Sequence, residues 1–104
     1  MYKISVFIPE SHLEAVKTAM FEAGAGRYDG CYDCCCWQTA GTGQFRPLQD
    51  STPFLGQQGC IEQVKEFRVE MICKPQFLKA TIAALKKSHP YEVPAFEYWQ
   101  INIQ

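Results

Sequence analysis

Two stretches of the chain repeat one order, a strand followed by an amphipathic helix, and this repeat constrains the fold more than any other feature. Ile4 aligns with Val69, Val6 with Met71, Leu13 with Leu78, and Met20 with Leu85, a constant offset of 65 positions. In the first copy, YKISVFI places Tyr2, Ile4, Val6 and Ile8 on one face and Lys3, Ser5 and Phe7 on the other. β-Branched and aromatic residues dominate it, so the alternation predicts a strand that Pro9 ends. Ser11 and Glu14 have the spacing of a capping box, in which hydroxyl and carboxylate each satisfy an orphan backbone N–H. Leu13, Val16, Met20 and Ala23 recur at helical spacing, and Gly24 supplies a left-handed cap.

In the second copy, Phe67, Val69, Met71 and Cys73 share a strand face opposite Glu66, Arg68 and Glu70. Val64 falls on the wrong face for that set, which predicts a bulge near residues 65–66. Pro75 suits a first helical position, and Leu78, Ile82 and Leu85 line the helix that follows. Lys86 and Lys87 sit where its dipole favours cations, and His89-Pro90 stops it.

CYDCCCWQ, residues 31–38, predicts a further strand, and residues 95–103 a last one. Residues 39–60 read as a long loop, a kind of segment that is often functional. The order βαββαβ predicts an α+β, ferredoxin-like sandwich. It has a four-stranded antiparallel sheet with both helices on one face, in a single domain over residues 1–104. The other face is left bare in a monomer. Phe7, Trp37, Tyr98 and Trp99 are too many large strand residues for the two helices to cover, which predicts a homo-oligomer.

Ten Lys and Arg against eleven Asp and Glu give a net charge of −1, which speaks against nucleic acid. No apolar run approaches the roughly 20 residues that cross a bilayer, so no membrane partner is expected. The alternating N-terminal stretch does not read as an export signal, and a cytoplasmic chain is expected. Six cysteines in such a chain are expected as free thiols, the more so because Cys34, Cys35 and Cys36 are contiguous.

Several ordered motifs resemble a known family. TAGTGQFRPLQDSTPFLGQQGCIEQVKEFRVEMI looks like the inserted central domain of the Nif-three-like proteins. Thr39–Pro47 matches its Thr-x-Gly-x-Gly-x-Phe-x-Pro pattern, Pro53–Gly56 its Pro-x-x-Gly, and Glu62–Arg68 its Glu-x-x-x-Glu-x-Arg run. His89-Pro90-Tyr91-Glu92-Val93-Pro94 resembles a segment shared with the CutA proteins. The resemblance implies the PII/CutA type of ferredoxin-like fold, with a trimer as the first expectation. It also implies a small binding or regulatory module rather than an enzyme. The family's dinuclear metal site, of His, Asp and Glu, would lie in flanking domains outside this sequence. His12 and His89 alone do not rebuild it. The name "GTP cyclohydrolase-like" sometimes given to the family therefore does not carry over.

Two sets of residues stand out as candidate sites. Gly41 and Gly43 allow close backbone approach and positive φ, Thr42 offers a hydroxyl, and Arg46 offers a planar fork for phosphate or carboxylate. With His89 or Glu92 from a neighbouring chain, they would take an anionic small molecule. The alternative, and the favoured one, is a packing loop in which Arg46 pairs with Glu62 or Glu66. Cys31, Cys34 and Cys36 would supply a zinc or copper site, half of it at C-x-x-C spacing, or a redox centre. For these the favoured alternative is that they are small buried hydrophobes. A third role is as partner subunit of a hydrolase-like protein of the same family.

Overall fold

The computed structural model describes residues 1–103. Strand β1, Tyr2–Pro9, lies at the centre of the sheet, with Ile4, Val6 and Ile8 fully buried. Helix α1, Leu13–Glu22, buries Leu13, Val16 and Met20 against that face. β2 is Trp37–Phe45, β3 is Glu62–Cys73, helix α2 is Pro75–Ser88, and β4 is Phe96–Gln100. The sheet order is β2-β3-β1-β4, and every pairing is antiparallel. One core joins β1 and β3 to both helices through Val69, Met71, Cys73 and Leu85. At roughly 1.5–3 kcal/mol for each large apolar side chain buried, this single layer supplies most of the driving force. The α+β ferredoxin-like reading therefore holds, with both helices on one face.

Five local expectations are corrected. No capping box forms. The chain leaves Pro9 through a short 3-10 turn, Glu10–His12, so Ser11 lies inside the turn instead of ahead of the helix. Its hydroxyl bonds His12 Nδ1 at 2.8 Å, while Glu14 pairs with Lys17 at 3.3 Å. Residues 31–36 are not a strand. Asp29, Gly30 and Cys34 have φ of 57°, 71° and 55°, which closes a turn under a Tyr28–Tyr32 bridge.

β2 starts only at Trp37, so the glycine-rich segment read as a loop is an edge strand. Gly41 and Gly43 have no positive φ in it. No bulge interrupts β3 either. Its register is unbroken from Glu62↔Phe45 to Cys73↔Tyr2, and β3 simply outruns β1, whose last pair is Pro9↔Glu66. Val64 thus belongs with Glu66 and Arg68 on the face away from the helices. β4 is shorter than expected and leaves Ile101 and Ile103 outside the strand.

That open face carries Phe7, Trp37 and Trp99, which are 36%, 56% and 43% exposed. Tyr98 pairs with Ile4 and so lies on the helix side, with its ring edge-on to Tyr2 at 6.1 Å.

Candidate functional site

Glu66 is the organising residue. It sits in β3 opposite Gly41 of β2 and Pro9 of β1, on the open face, yet it is only 9% exposed. Its carboxylate leans over Gly43, where an added Cβ would collide with it. A side chain is missing from β2 at the place where β3 lays down its carboxylate.

Tyr91 closes the other side. Its hydroxyl donates to Glu66 Oε2 at 2.7 Å. Burial, first, and the bond to Glu66 push its ionisation well above the ordinary phenol range, so the hydroxyl stays a donor. Behind it, His89 is 5% exposed. The Tyr91 N–H donates to His89 Nδ1 at 3.2 Å, and His89 Nε2 faces the Phe7 carbonyl at 2.8 Å. A carbonyl only accepts, so Nε2 carries the proton and the ring is neutral.

Residues 46–61 fold over this network. Thr52 N–H donates to Glu92 Oε1 at 3.1 Å, and Phe54 packs near Tyr91 with ring centroids 6.4 Å apart. The result is a cleft of about 620 Å³ between β2, this loop and residues 91–95. Its volume lies in the roughly 300–1,000 Å³ range of small-molecule sites. Phe7, Phe45, Phe54 and Tyr91 supply aromatic wall, and Glu66, Glu92 and Arg68 are its charged groups.

Of the residues expected to hold a ligand, Gly41, Thr42, Gly43 and Glu92 line this one cleft. His89 stands behind it with both ring nitrogens engaged. Arg46 lies outside the lining, exposed, and among the described residues it pairs with neither Glu62 nor Glu66. The cation at the cleft is Arg68, whose guanidinium sits 5.8 Å from the centre of the Trp37 ring. Glu66, Tyr91 and Arg68 were missed as a site, although each stands in a quoted motif.

The cysteines do not converge. Cys31 and Cys34 are exposed on the turn and Cys36 is half-buried against the core. Among the described residues no three His, Cys, Asp or Glu are grouped to hold a metal ion. The buried-hydrophobe reading fails for Cys31 and Cys34 because the positive-φ turn projects them outward. It fits Cys73, whose Sγ lies 3.6 Å from Thr81 Oγ1. Burial raises the Cys73 pKa.

The His89 geometry makes a pH prediction. Burial, above all, lowers its pKa from the ordinary 6.5, against the Phe7 bond and the nearby Glu66 charge, which raise it. The unfolded chain therefore takes up this proton first as pH falls. The stability is complete above about pH 6.5 and declines below it towards the folded pKa. Melting temperatures should drop between roughly pH 7.5 and pH 5.5, and His89→Asn should flatten that slope. Equal slopes for the two proteins would refute it.

No family model matches the chain. A GTP cyclohydrolase 1 type 2 homologue of Halalkalibacterium halodurans is 40% identical over 101 residues, covering 97% of this chain and 27% of that protein. The one from Mycobacterium leprae is 42% identical over 96 residues, covering 92% of this chain and 25% of that protein. The crystal structure of a Bacillus cereus protein related to NIF3 superposes with a TM-score of 0.82 at 33% identity, over 98% of this chain and 26% of that one. The chain is homologous to one segment of the NIF3-like proteins. It spans about a quarter of the length of these relatives. The chain also shares its fold with CutA of Xylella fastidiosa, at a TM-score of 0.69 and 20% identity over 99% of this chain and 85% of that one. That likeness concerns the fold alone. No helix of the described residues is long and apolar enough to cross a membrane.

Proposed function

We propose that this chain is a non-enzymatic, cytoplasmic small-molecule-binding module that works as a homo-oligomer, with a trimer as the first arrangement. The observation that carries this reading is the aromatic cleft built around a buried carboxylate. Nothing in it is arranged as a nucleophile with a base beside it. His89 is spent on fixing backbone, and His12, edge-on to Phe54 at 5.4 Å and bonded to the Ser11 hydroxyl, is not among the lining residues. An anion at Arg46 is not retained, because Arg46 is outside the cleft and Glu66 and Glu92 outnumber Arg68 within it. The oligomer is supported by the bare face with Trp37 and Trp99, since closed symmetry buries one patch in every subunit.

The test uses Gly41→Phe. A Cβ at Gly41 meets nothing within 4 Å, so the ring can occupy the cleft without forcing the sheet apart. A thermal-shift screen of metabolite-sized compounds should give hits on wild type that vanish in Gly41→Phe. Light scattering at micromolar concentration should report about three chains. Hits that survive the substitution, or an absence of hits, would overturn the cleft reading. A stable monomer would overturn the oligomer.

A second reading rests on the outward thiols of Cys31 and Cys34, which could join thiols of other chains around zinc or copper. Near-stoichiometric metal that is lost in Cys34→Ser would favour it.

A further inference from the structure

We infer that the cleft takes an organic cation, a protonated amine or an amidinium on an aromatic-sized body. This rests on the reading of the cleft as a small-molecule site. Glu66 is nine-tenths buried and lines the cleft, and no cation of the described residues reaches it. Buried carboxylates are ordinarily paired, because a lone charge loses its hydration and gains nothing in return. Tyr91 satisfies Oε2 only. Oε1 lies over Gly43, on the side where β2 presents no side chain.

The chain's own candidate partner is turned elsewhere. Arg68 is two residues along the same strand and on the same face, but its guanidinium is directed at the Trp37 ring. Glu92 adds a second carboxylate at the rim, tied through one oxygen to the loop. Around these acids stand the rings of Phe7, Phe45, Phe54 and Tyr91. Aromatic faces attract cations and bury apolar bodies, but they do not favour anions. A cation with N–H groups would donate to Oε1 in a charge-assisted bond while its ring filled the aromatic wall. The missing side chain at Gly43 leaves room for that carboxylate, and the Tyr91 hydroxyl holds it in place.

The experiment compares three probes of one size on the full chain by calorimetric titration: benzamidine, benzamide and benzoate. Benzamidine should bind about tenfold or more tightly than benzamide, and benzoate should bind most weakly. Glu66→Gln keeps the size of the side chain and an acceptor for Tyr91, and it should cost benzamidine about tenfold or more while leaving benzamide unchanged. Glu66→Asp keeps the charge and should retain the preference for benzamidine, which guards against a folding defect in the glutamine variant.

If benzoate binds as well as benzamidine, or if Glu66→Gln leaves benzamidine binding intact, the inference is overturned. In that case, loss of the bound probe in Gly41→Phe would leave the cleft reading standing. If none of the three binds at tens of millimolar, the cation inference falls, and the screen above decides the cleft separately.

Discussion

Gly24→Ala is expected to destabilise the protein by about 2–4 kcal/mol, through backbone strain and overpacking together. Gly24 follows α1 with a φ of +119°, a conformation that side chains rarely adopt. A Cβ there would stand 2.6 Å from Cγ of Phe77, on the first turn of α2. The two helices meet at this point, so neither can yield without moving the core. The check is urea denaturation, read as a lower midpoint with an unchanged slope. Phe77→Ala in the Gly24→Ala background should recover the steric share and leave the backbone share, so a double-mutant cycle should show favourable coupling. A loss under about 0.5 kcal/mol would show that the two helices accommodate the methyl group.

Gly43→Ala and Gly41→Ala should separate sharply, although the two glycines are two residues apart on one strand face. At position 43 the new methyl collides with the Glu66 carboxylate, and at position 41 it meets open space. Displacing the flexible end of Glu66 breaks its bond from the half-buried Tyr91 hydroxyl, at a cost of about 1 kcal/mol. Gly43→Ala should therefore lose stability by about that amount and lose any Glu66-dependent ligand binding. Gly41→Ala should be neutral or gain a few tenths of a kcal/mol, since alanine restricts the unfolded chain. Equal effects at the two positions would mean that the carboxylate is not seated where Gly43 makes room for it.

Periodic elements were legible in the sequence. β1, α1, β3 and α2 each carry an apolar face whose spacing names the element, and their order fixes the sheet. β2 was not legible because its strand character is lent by its neighbour. TAGTGQ has little strand preference of its own, and it is extended because β3 pairs with it residue for residue. The cysteine run misled in the opposite sense. It reads as small and apolar, but the positive φ of Cys34 ends any strand there and leaves Cys31 and Cys34 exposed.

Part of the cleft lining is legible in the sequence and part is not. Gly41, Thr42, Gly43 and Glu92, singled out by their motifs, line the cleft, whereas Arg46, singled out as a cation beside glycines, does not, and Arg68 does. Glu66 was hidden by its position in an alternating strand, where a glutamate reads as solvent-facing. What could have revealed it is pairing. Placed in register, Glu66 stands opposite Gly41 and leans over Gly43, so β2 leaves room for its carboxylate where another strand would place side chains.

His89 binds three parts of the chain into one cooperative unit. Its backbone N–H caps α2 on the Leu85 carbonyl, while the ring accepts from the Tyr91 backbone and faces the Phe7 carbonyl on β1. A wall fastened to a central strand has no cheap local unfolding of its own. Opening the cleft at Tyr91 means breaking contacts that the whole domain holds in common. Occupancy of the cleft is therefore transmitted to global stability, and a ligand at 100 times its Kd should add about 2.7 kcal/mol to the unfolding of the entire chain. Amide exchange of the buried β1 residues Ile4 and Val6 would slow by the corresponding factor, although neither touches the ligand.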